Sequence, residues 1–319
     1  MSKETSKFKS GFVSIIGLAN SGKSTFLNAC INENIAIVSN RPQTTRKNIK
    51  GIYNDENSQI IFIDTPGIHK SINKLDEYMD KSIDNALLDI DVFLFLIDVM
   101  TMNDDDFSKT LNILNIKKIK KILLLNKCDA FKKKYYNGKN IEFKELEKKI
   151  LDEFDKIEMF KDIKFEEKIV ISSYKKINIK YVIDRIKNYL SSDIKYYNDE
   201  NLTDESLRNI IEEMIRAQCL YKLKKEVPHG INVKIETFKK LKTKVINIEG
   251  LIIAEKKSHK GIIIGKNGEM LKNIGTGSRI AIEKYLNNKV NLKLNVVVKE
   301  NWRSDKNMLI DFGFDEKNL

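Results

Sequence analysis

Residues 17–24 read Gly-Leu-Ala-Asn-Ser-Gly-Lys-Ser and match the spacing GxxxxGK[ST]. They follow an apolar run, Phe12–Gly17, and open a helical pattern at Lys23–Ile31, the strand–turn–helix context that this spacing requires. The chemistry is phosphate binding. Glycines let the chain turn so that successive N–H groups face an anion, Lys23 sets a cation against the terminal phosphates, and the Ser24 hydroxyl is a hard oxygen ligand for Mg²⁺. The predicted contact set is Gly17, Asn20, Ser21, Gly22, Lys23, Ser24 and Thr25. About 40 residues on, Asp64-Thr65-Pro66-Gly67 ends another apolar run, Gln59–Asp64. Asp64 there is a second candidate for the Mg²⁺ shell, and the Gly67 amide a candidate contact for the γ-phosphate. Pro42-Gln43-Thr44-Thr45-Arg46 lies between the two in a polar segment suited to switching; a threonine of that segment, taken as Thr45 rather than Thr44, completes the metal set Ser24, Thr45 and Asp64. Lys23, Thr45 and Gly67 are the candidate catalytic residues. Ile68 follows Gly67, and an alkyl side chain there cannot orient an attacking water by hydrogen bonding.

A separate cluster reads the base. Asn126-Lys127-Cys128-Asp129 matches NKxD after the apolar run Ile122–Asn126. The Asp129 carboxylate is an acceptor only. It can take hydrogen bonds from the N1–H and exocyclic amine of guanine, a donor pair that adenine lacks. This separates a GTP-binding protein from an ATP-using kinase or ATPase. Ser172, Ser173 and Tyr174 end the next run, and their backbone amides are candidates to cover the guanine carbonyl. Ser173 stands where Ala is usual, and Lys176 where Gly is common.

The elements that must hold these residues alternate. Strand patterns fall at Phe12–Gly17, Gln59–Asp64, Val92–Asp98, Ile122–Asn126 and Lys168–Ser172, with a more polar edge strand at Lys47–Tyr53. Helical patterns fall at Lys23–Ile31, Leu75–Leu88, Asp104–Leu114, Phe143–Phe154 and Ile177–Leu190. That order predicts an α/β domain with a doubly wound, mostly parallel sheet, its ligand at the carboxyl ends of the strands. The expected division is a nucleotide domain over 1–190, a polar linker over 191–202 and an α+β domain over 203–319. In the last, Thr203 is the expected N-cap of a helix reaching about Lys224. Strands follow at Gly230–Phe238 and Lys244–Leu251, the latter running on to Glu255. After Gly261–Lys266 come helical patterns at Gly268–Ile274 and Gly277–Leu286, then a strand at Val290–Val298.

Bulk properties narrow the class. The 319 residues carry a net charge of +12. Residues 200–319 hold 23 Lys/Arg against 16 Asp/Glu, a net +7 over the shorter part of the chain. Such a balance favours a polyanion, nucleic acid before an anionic membrane surface. The longest apolar run, Val92–Ile97, suits a buried strand and is far short of the ~18 residues of a membrane span. Met1–Ser10 is polar and lacks a signal-peptide core, so a cytoplasmic protein is expected. Cys30, Cys128 and Cys219 are odd in number and without CxxC spacing, which excludes a disulfide framework and a cysteine zinc site.

Ile262-Ile263-Ile264-Gly265-Lys266-Asn267-Gly268 contains GxxG, expected as a loop between a strand and a helix. In type II KH domains such a loop clamps a single-stranded nucleic-acid backbone, because two glycines permit close approach. The candidate RNA contacts are Lys260, Ile264, Gly265, Lys266, Asn267, Gly268 and Lys272, with Lys256 and Lys257 nearby. The phosphate loop with Asn20, the PQTTR segment, DTPGIH at Asp64–His69, NKCD and the GxxG module in this order resemble the bacterial Era GTPase family over nearly the whole chain. The resemblance implies hydrolysis of GTP to GDP and phosphate with Mg²⁺, and binding of the 3′ end of 16S rRNA during small ribosomal subunit assembly. It further implies a cytoplasmic protein with peripheral association with the inner membrane, and no DNA partner; a monomer is expected. It also makes Asn20 a candidate ligand for a monovalent cation, K⁺. The alternatives are an RNA-binding protein that holds GTP without turning it over, and a membrane-associated signalling GTPase.

Other residues tempt less. His69, His229 and His259 lack metal-ligand spacing, and Cys30 and Cys219 read as core thiols. Trp302 is expected to cover a core rather than stack on a base, and Lys132–Lys134 with Lys139 reads as a solvated loop face.

Overall fold

The computed structural model describes residues 7–39, 41, 43–68, 71–103, 107–116, 119–137, 140–240 and 245–318. It divides into two compact units. One comprises residues 1–38, 45–69 and 82–204, and the other residues 39–44, 70–81 and 205–319.

In chain order the first part runs β1 (Lys9–Ile16), α1 (Lys23–Ile31), β2 (Ile49–Asp55), β3 (Ser58–Asp64), α2 (Lys74–Asn85), β4 (Val92–Asp98), α3 (Ser108–Ile116), β5 (Lys120–Asn126), α4 (Cys128–Tyr136), α5 (Phe143–Phe154), β6 (Glu167–Val170) and α6 (Ile179–Lys187). The six strands form one sheet in the order β2-β3-β1-β4-β5-β6, parallel throughout except for the antiparallel edge pair β2–β3. Alternation of side chains across the sheet builds two cores. Val13, Ile15, Leu94 and Leu96 pack with Phe26 of α1 and Ile183 of α6. Phe95, Ile97 and Leu125 point into the other core with Phe131 of α4 and Ile150 of α5.

Helix α4 departs from the sequence expectation. Lys132–Lys134, read as a loop face, lie on this helix, which begins directly after Lys127 and buries Cys128 and Phe131. Its polar composition hides it, since only two apolar positions are needed to seat so short a helix. Lys139 and part of the expected Asp104–Leu114 helix lie outside the described residues.

The segment expected as a linker is fastened to the first unit. Gln59 accepts from the Tyr196 and Tyr197 amides at 2.7 and 3.0 Å, and the Ile52 amide of edge strand β2 donates to the Leu202 carbonyl at 2.9 Å. An edge strand with open N–H groups is a template for such pairing, and a polar strap satisfies it as well as an apolar strand would.

The second unit adds α7 (Leu207–Lys222), β7 (Ile231–Lys240), β8 (Ile246–Ala254), α8 (Lys257–Ile264), α9 (Glu269–Leu286), β9 (Val290–Val298) and α10 (Lys306–Asp311). Its three-stranded sheet has β8 in the middle, antiparallel to β7 and parallel to β9. Ile211, Ile215, Ile252, Ile274 and Ile282 form the core between the sheet and helices α7 and α9. Ser206, not Thr203, caps α7, accepting from the Asn209 amide at 3.2 Å. The two expected helices at 268–286 are one. A Cβ at Gly277 would lie 2.3 Å from Gln218 Oε1, so the glycine that looked like a break is there for close approach to α7. Trp302 is fully buried and donates to the Gly230 carbonyl at 3.1 Å, a core residue as expected. Cys30 and Cys219 are buried too, and burial pushes the Cys219 thiol up to about 12.

Candidate functional site

The turn between β1 and α1 is made by glycines that no other residue can replace. Gly22 has φ 100°, and a Cβ there would sit 2.3 Å from Asn126 Nδ2; at Gly17 it would meet the Leu96 carbonyl at 2.4 Å. Asn20 takes the left-handed conformation at φ 64°, which asparagine tolerates, and is exposed. Lys23 is buried at the start of α1, donating to the Gly17 and Leu18 carbonyls at 3.0 and 2.9 Å. Burial lowers its pKa to about 8, with Asp64 opposing the shift.

Three oxygens meet beside it. Ser24 Oγ donates to Asp64 Oδ2 at 2.7 Å and lies 3.0 Å from Thr45 Oγ1, which is itself 3.4 Å from Asp64 Oδ2. Asp64 is fully buried, and its other oxygen, Oδ1, has no partner among the described residues. Burial raises its carboxyl to about 6 against the pull of Lys23, Ser24 and Thr45. Two hydroxyls and a desolvated carboxylate are the donor set of a small hard cation, so these residues fit Mg²⁺. Thr44, the rejected alternative, bonds instead to the Arg41 carbonyl at 2.6 Å. Gly67 packs on the phosphate loop, where a Cβ would fall 2.8 Å from Ala19 Cα, and Ile68 is buried, away from any role in orienting water. Pro42 and His69 lie outside the described residues.

The base-reading residues are stitched to the same turn. Asn126 donates to the Ser21 carbonyl at 2.9 Å and accepts from the Ser173 amide at 2.9 Å. Lys127, at φ 70°, reaches the Asn20 carbonyl at 2.7 Å. Asp129 Oδ1 accepts from Ser172 Oγ at 2.6 Å, and the Lys175 amide holds that same hydroxyl at 3.0 Å. Tyr174 is 76% exposed, so it can flank a base but not wall it in. Hydrogen bonds therefore tie the phosphate and base residues together at the carboxyl ends of β1, β3, β5 and β6. Thr25, half-buried on α1, completes the predicted set.

Sequence reasoning missed two members. Asp98 ends β4 and pairs with Lys127 at 2.7 Å, fixing the lysine across the phosphate loop. An acidic residue at a strand's carboxyl end was the available signal. Asn28, buried on α1, binds the Ile35 and Ala36 amides and the Ala36 carbonyl, anchoring the root of the segment that leads to Thr45. Nothing in its helical position announces this.

In the second unit the GxxG sequence joins two helices, not a strand and a helix: α8 ends at Ile264 and α9 starts at Glu269. Continuous Ile262-Ile263-Ile264 looks like a strand, but only Ile263 is fully buried and Ile262 is half exposed. Gly265 and Gly268 have φ 73° and 78°. A Cβ at Gly265 would strike Met270 at 2.7 Å, while at Gly268 it would meet nothing. Lys260, Lys266, Asn267 and Lys272 are exposed around the turn, and the three lysines make no ion pair among the described residues.

Residues 12–127 match the family described as 50S ribosome-binding GTPase, and residues 226–303 match the KH domain. The fold and cleft together define a P-loop GTPase carrying a C-terminal KH module. GTPase Era of Clostridioides difficile is 42% identical over 97% of this chain and all of its own length, and that of Lactobacillus helveticus is 40% identical over 99% of each. The crystal structure of an Aquifex aeolicus Era variant bound to GDP·AlF₄⁻ superposes with a TM-score of 0.86 at 31% identity, covering 96% of this chain and 99% of that one. A second Era structure, in complex with MgGDPNP and nucleotides 1506–1542 of 16S ribosomal RNA, gives the same TM-score, identity and coverage. The chain belongs to the Era family, and it is a GTPase.

Proposed function

We propose that this protein is a GTP-driven switch that binds the 3′ end of 16S rRNA through its KH module and assists assembly of the small ribosomal subunit. The meeting of Ser24, Thr45 and Asp64 oxygens beside the unpartnered Asp64 Oδ1 carries the nucleotide half of this reading. The lysines around Gly265–Gly268 and the RNA-bound relative support the other half. A KH clamp suits single-stranded RNA rather than duplex DNA.

In this scheme Asp129 accepts from guanine, and the amides of Ser172, Ser173 and Tyr174 cover its carbonyl. Lys23 neutralises the β- and γ-phosphates, while backbone amides from Asn20 to Thr25 surround them. Ser24, Thr45 and Asp64 hold Mg²⁺, directly or through water; the ion supplies charge that offsets the negative phosphate oxygens. The Gly67 amide faces the γ-phosphate, so Thr45 and Gly67 let go when it leaves. Because Ile68 cannot orient water, the electrostatic help comes from elsewhere, and exposed Asn20 is the residue assigned to hold K⁺. Hydrolysis equally fast in potassium and sodium buffers removes that assignment. Domain limits of 1–190 and 203–319, a monomeric state and a cytoplasmic location belong to the same reading. A peripheral inner-membrane association is what the family resemblance implies, and among the described residues no helix is long and apolar enough to cross a membrane.

Multiple-turnover GTP hydrolysis with and without a 16S 3′-end oligonucleotide tests the scheme, with anionic vesicles as competitor. Turnover is expected, together with RNA binding that a scrambled oligonucleotide does not match and vesicles do not displace. GTP held without turnover, or RNA bound without regard to sequence, refutes it.

A further inference from the structure

Two strained stretches of backbone beside the nucleotide residues share one ammonium group. Asn20 in the phosphate loop and Lys127 at the start of α4 are both left-handed, at φ 64° and 70°. Lys127 Nζ donates to the Asn20 carbonyl at 2.7 Å and to Asp98 Oδ2 at 2.7 Å. Asp98 is the last residue of β4, opposite Asn126 in the parallel register with β5. Its Oδ1 accepts from the Met100 amide at 2.9 Å, so the carboxylate is itself oriented by the turn that follows the strand. The Asp98 side chain is 14% exposed and that of Lys127 35%. Asn20, Asp98, Met100 and Lys127 all lie in the first unit.

A partly exposed ion pair is screened by water and contributes little to folding. The consequence of this one is local. A long side chain is disfavoured in the left-handed region, and such a residue persists only where its surroundings over-determine it. At Lys127 the anchor is the far end of its own side chain, held between a carbonyl and a carboxylate. The Lys127 carbonyl accepts from the Ala130 and Phe131 amides that start α4, so the conformation of Lys127 sets how Asp129 leaves the strand. The Asn20 carbonyl shares a rigid peptide plane with the Ser21 amide, so pinning that oxygen also fixes where the amide points.

We infer that Asp98 is a positioning residue for guanine nucleotides. Acting through Lys127 rather than on the ligand, it keeps the phosphate loop and the Asp129 turn in their binding shapes, and so sets how long GDP and GTP stay bound. This role presupposes the reading above, in which Asp129 takes the base and the loop around Lys23 takes the phosphates.

Stopped-flow release of fluorescent GDP from the full-length protein tests this. Asp98→Asn keeps the side-chain volume and removes the charge. It should speed release of GDP and of a non-hydrolysable GTP analogue by the same factor, about tenfold, as for loss of one charge-assisted hydrogen bond. Asp98→Glu, which restores the charge, should recover most of the wild-type residence time. The nucleotide-free protein should unfold at the wild-type temperature in each case. A double-mutant cycle separates positioning from a merely structural role. Lys127→Met, which keeps the apolar stem, should itself speed release at least as much, and in that background Asp98→Asn should add less than about twofold. If Asp98→Asn leaves release unchanged, or accelerates it equally in the Lys127→Met background, the inference falls. Unchanged release in Lys127→Met alone overturns it as well. If the wild type binds no GDP, or Asp129→Asn leaves GDP affinity untouched, the reading of the base site fails first, and the two failures are thereby distinguished.

Discussion

The two ligand sites of this chain are built on opposite plans. In the nucleotide cleft almost every motif side chain is already engaged by another part of the cleft: Asn126 by Ser21 and Ser173, Lys127 by Asn20 and Asp98, Asp129 by Ser172, Ser24 by Asp64. At the GxxG turn the charged side chains stand in solvent with no ion pairs among the described residues, and the geometry is set by backbone alone. A preorganised cleft concentrates its function in single residues, whereas an open basic turn spreads its function over many. Substitutions should therefore cost orders of magnitude in the first site and small, additive amounts in the second.

The sharpest version of that contrast is Lys23→Ala. Removing a buried cation from the place where phosphate charge develops should lower the turnover number by roughly a hundredfold to a thousandfold, while RNA affinity of the nucleotide-free protein stays within about twofold. Steady-state hydrolysis and an RNA titration measure both. A loss under tenfold would mean that the cleft is not concentrated in this way. Next comes Asp129→Asn. Loss of a charged acceptor for two donors should weaken GTP binding by about a hundredfold and turn preference toward xanthine nucleotides, whose base presents an acceptor where guanine has its amine. Competition of GTP, XTP and ATP for one fluorescent nucleotide reads this directly.

These two residues also show why the nucleotide site was legible in the sequence. A position hydrogen-bonded within its own turn suits few residue types, so GKS, DTPG and NKxD read as short strings at strand ends. What escaped has the opposite character. Asp98 and Asn28 are as firmly engaged, but each acts through one local geometry that no fixed spacing announces. The Ile262–Ile264 run reads as a strand because three consecutive apolar residues fit either element, and only burial of Ile263 against exposure of Ile262 tells them apart. Helix α9 reads as two helices in the sequence because a glycine that serves close packing resembles a glycine that ends a helix. The segment over 191–202 reads as a linker because hydrogen bonds to an edge strand leave no trace in hydropathy.

On the RNA side the largest expected single effect is that of Gly268→Asp. Open space surrounds this position, so the added side chain clashes with nothing, and aspartate is among the residues that tolerate φ 78°. The module should stay folded while a carboxylate stands where the RNA backbone must approach. RNA affinity should fall about tenfold or more, the range of one badly placed charge at a phosphate contact, with GTP affinity unchanged. Gly265→Asp is the cruder variant, because its Cβ would strike Met270 and confound charge with misfolding.

Lys266→Ala should have the smallest effect and discriminates most finely between the two plans. Lys266 is exposed, and among the described residues nothing pairs with it, so its removal leaves no buried group unsatisfied. If it contributes one phosphate contact among several, affinity should fall only a few-fold at moderate salt. The loss should be the same for the 16S 3′-end oligonucleotide and for a scrambled one, because phosphate contacts position without reading sequence. The slope of log K against log salt concentration should become shallower by about 0.7, the value for one counterion released from a single strand. A salt series on wild type and variant, fitted to that slope, checks this without relying on absolute affinity. A change of slope well above one unit would mean that Lys266 organises its neighbours, and the GxxG turn would then be preorganised after all, on the same plan as the cleft.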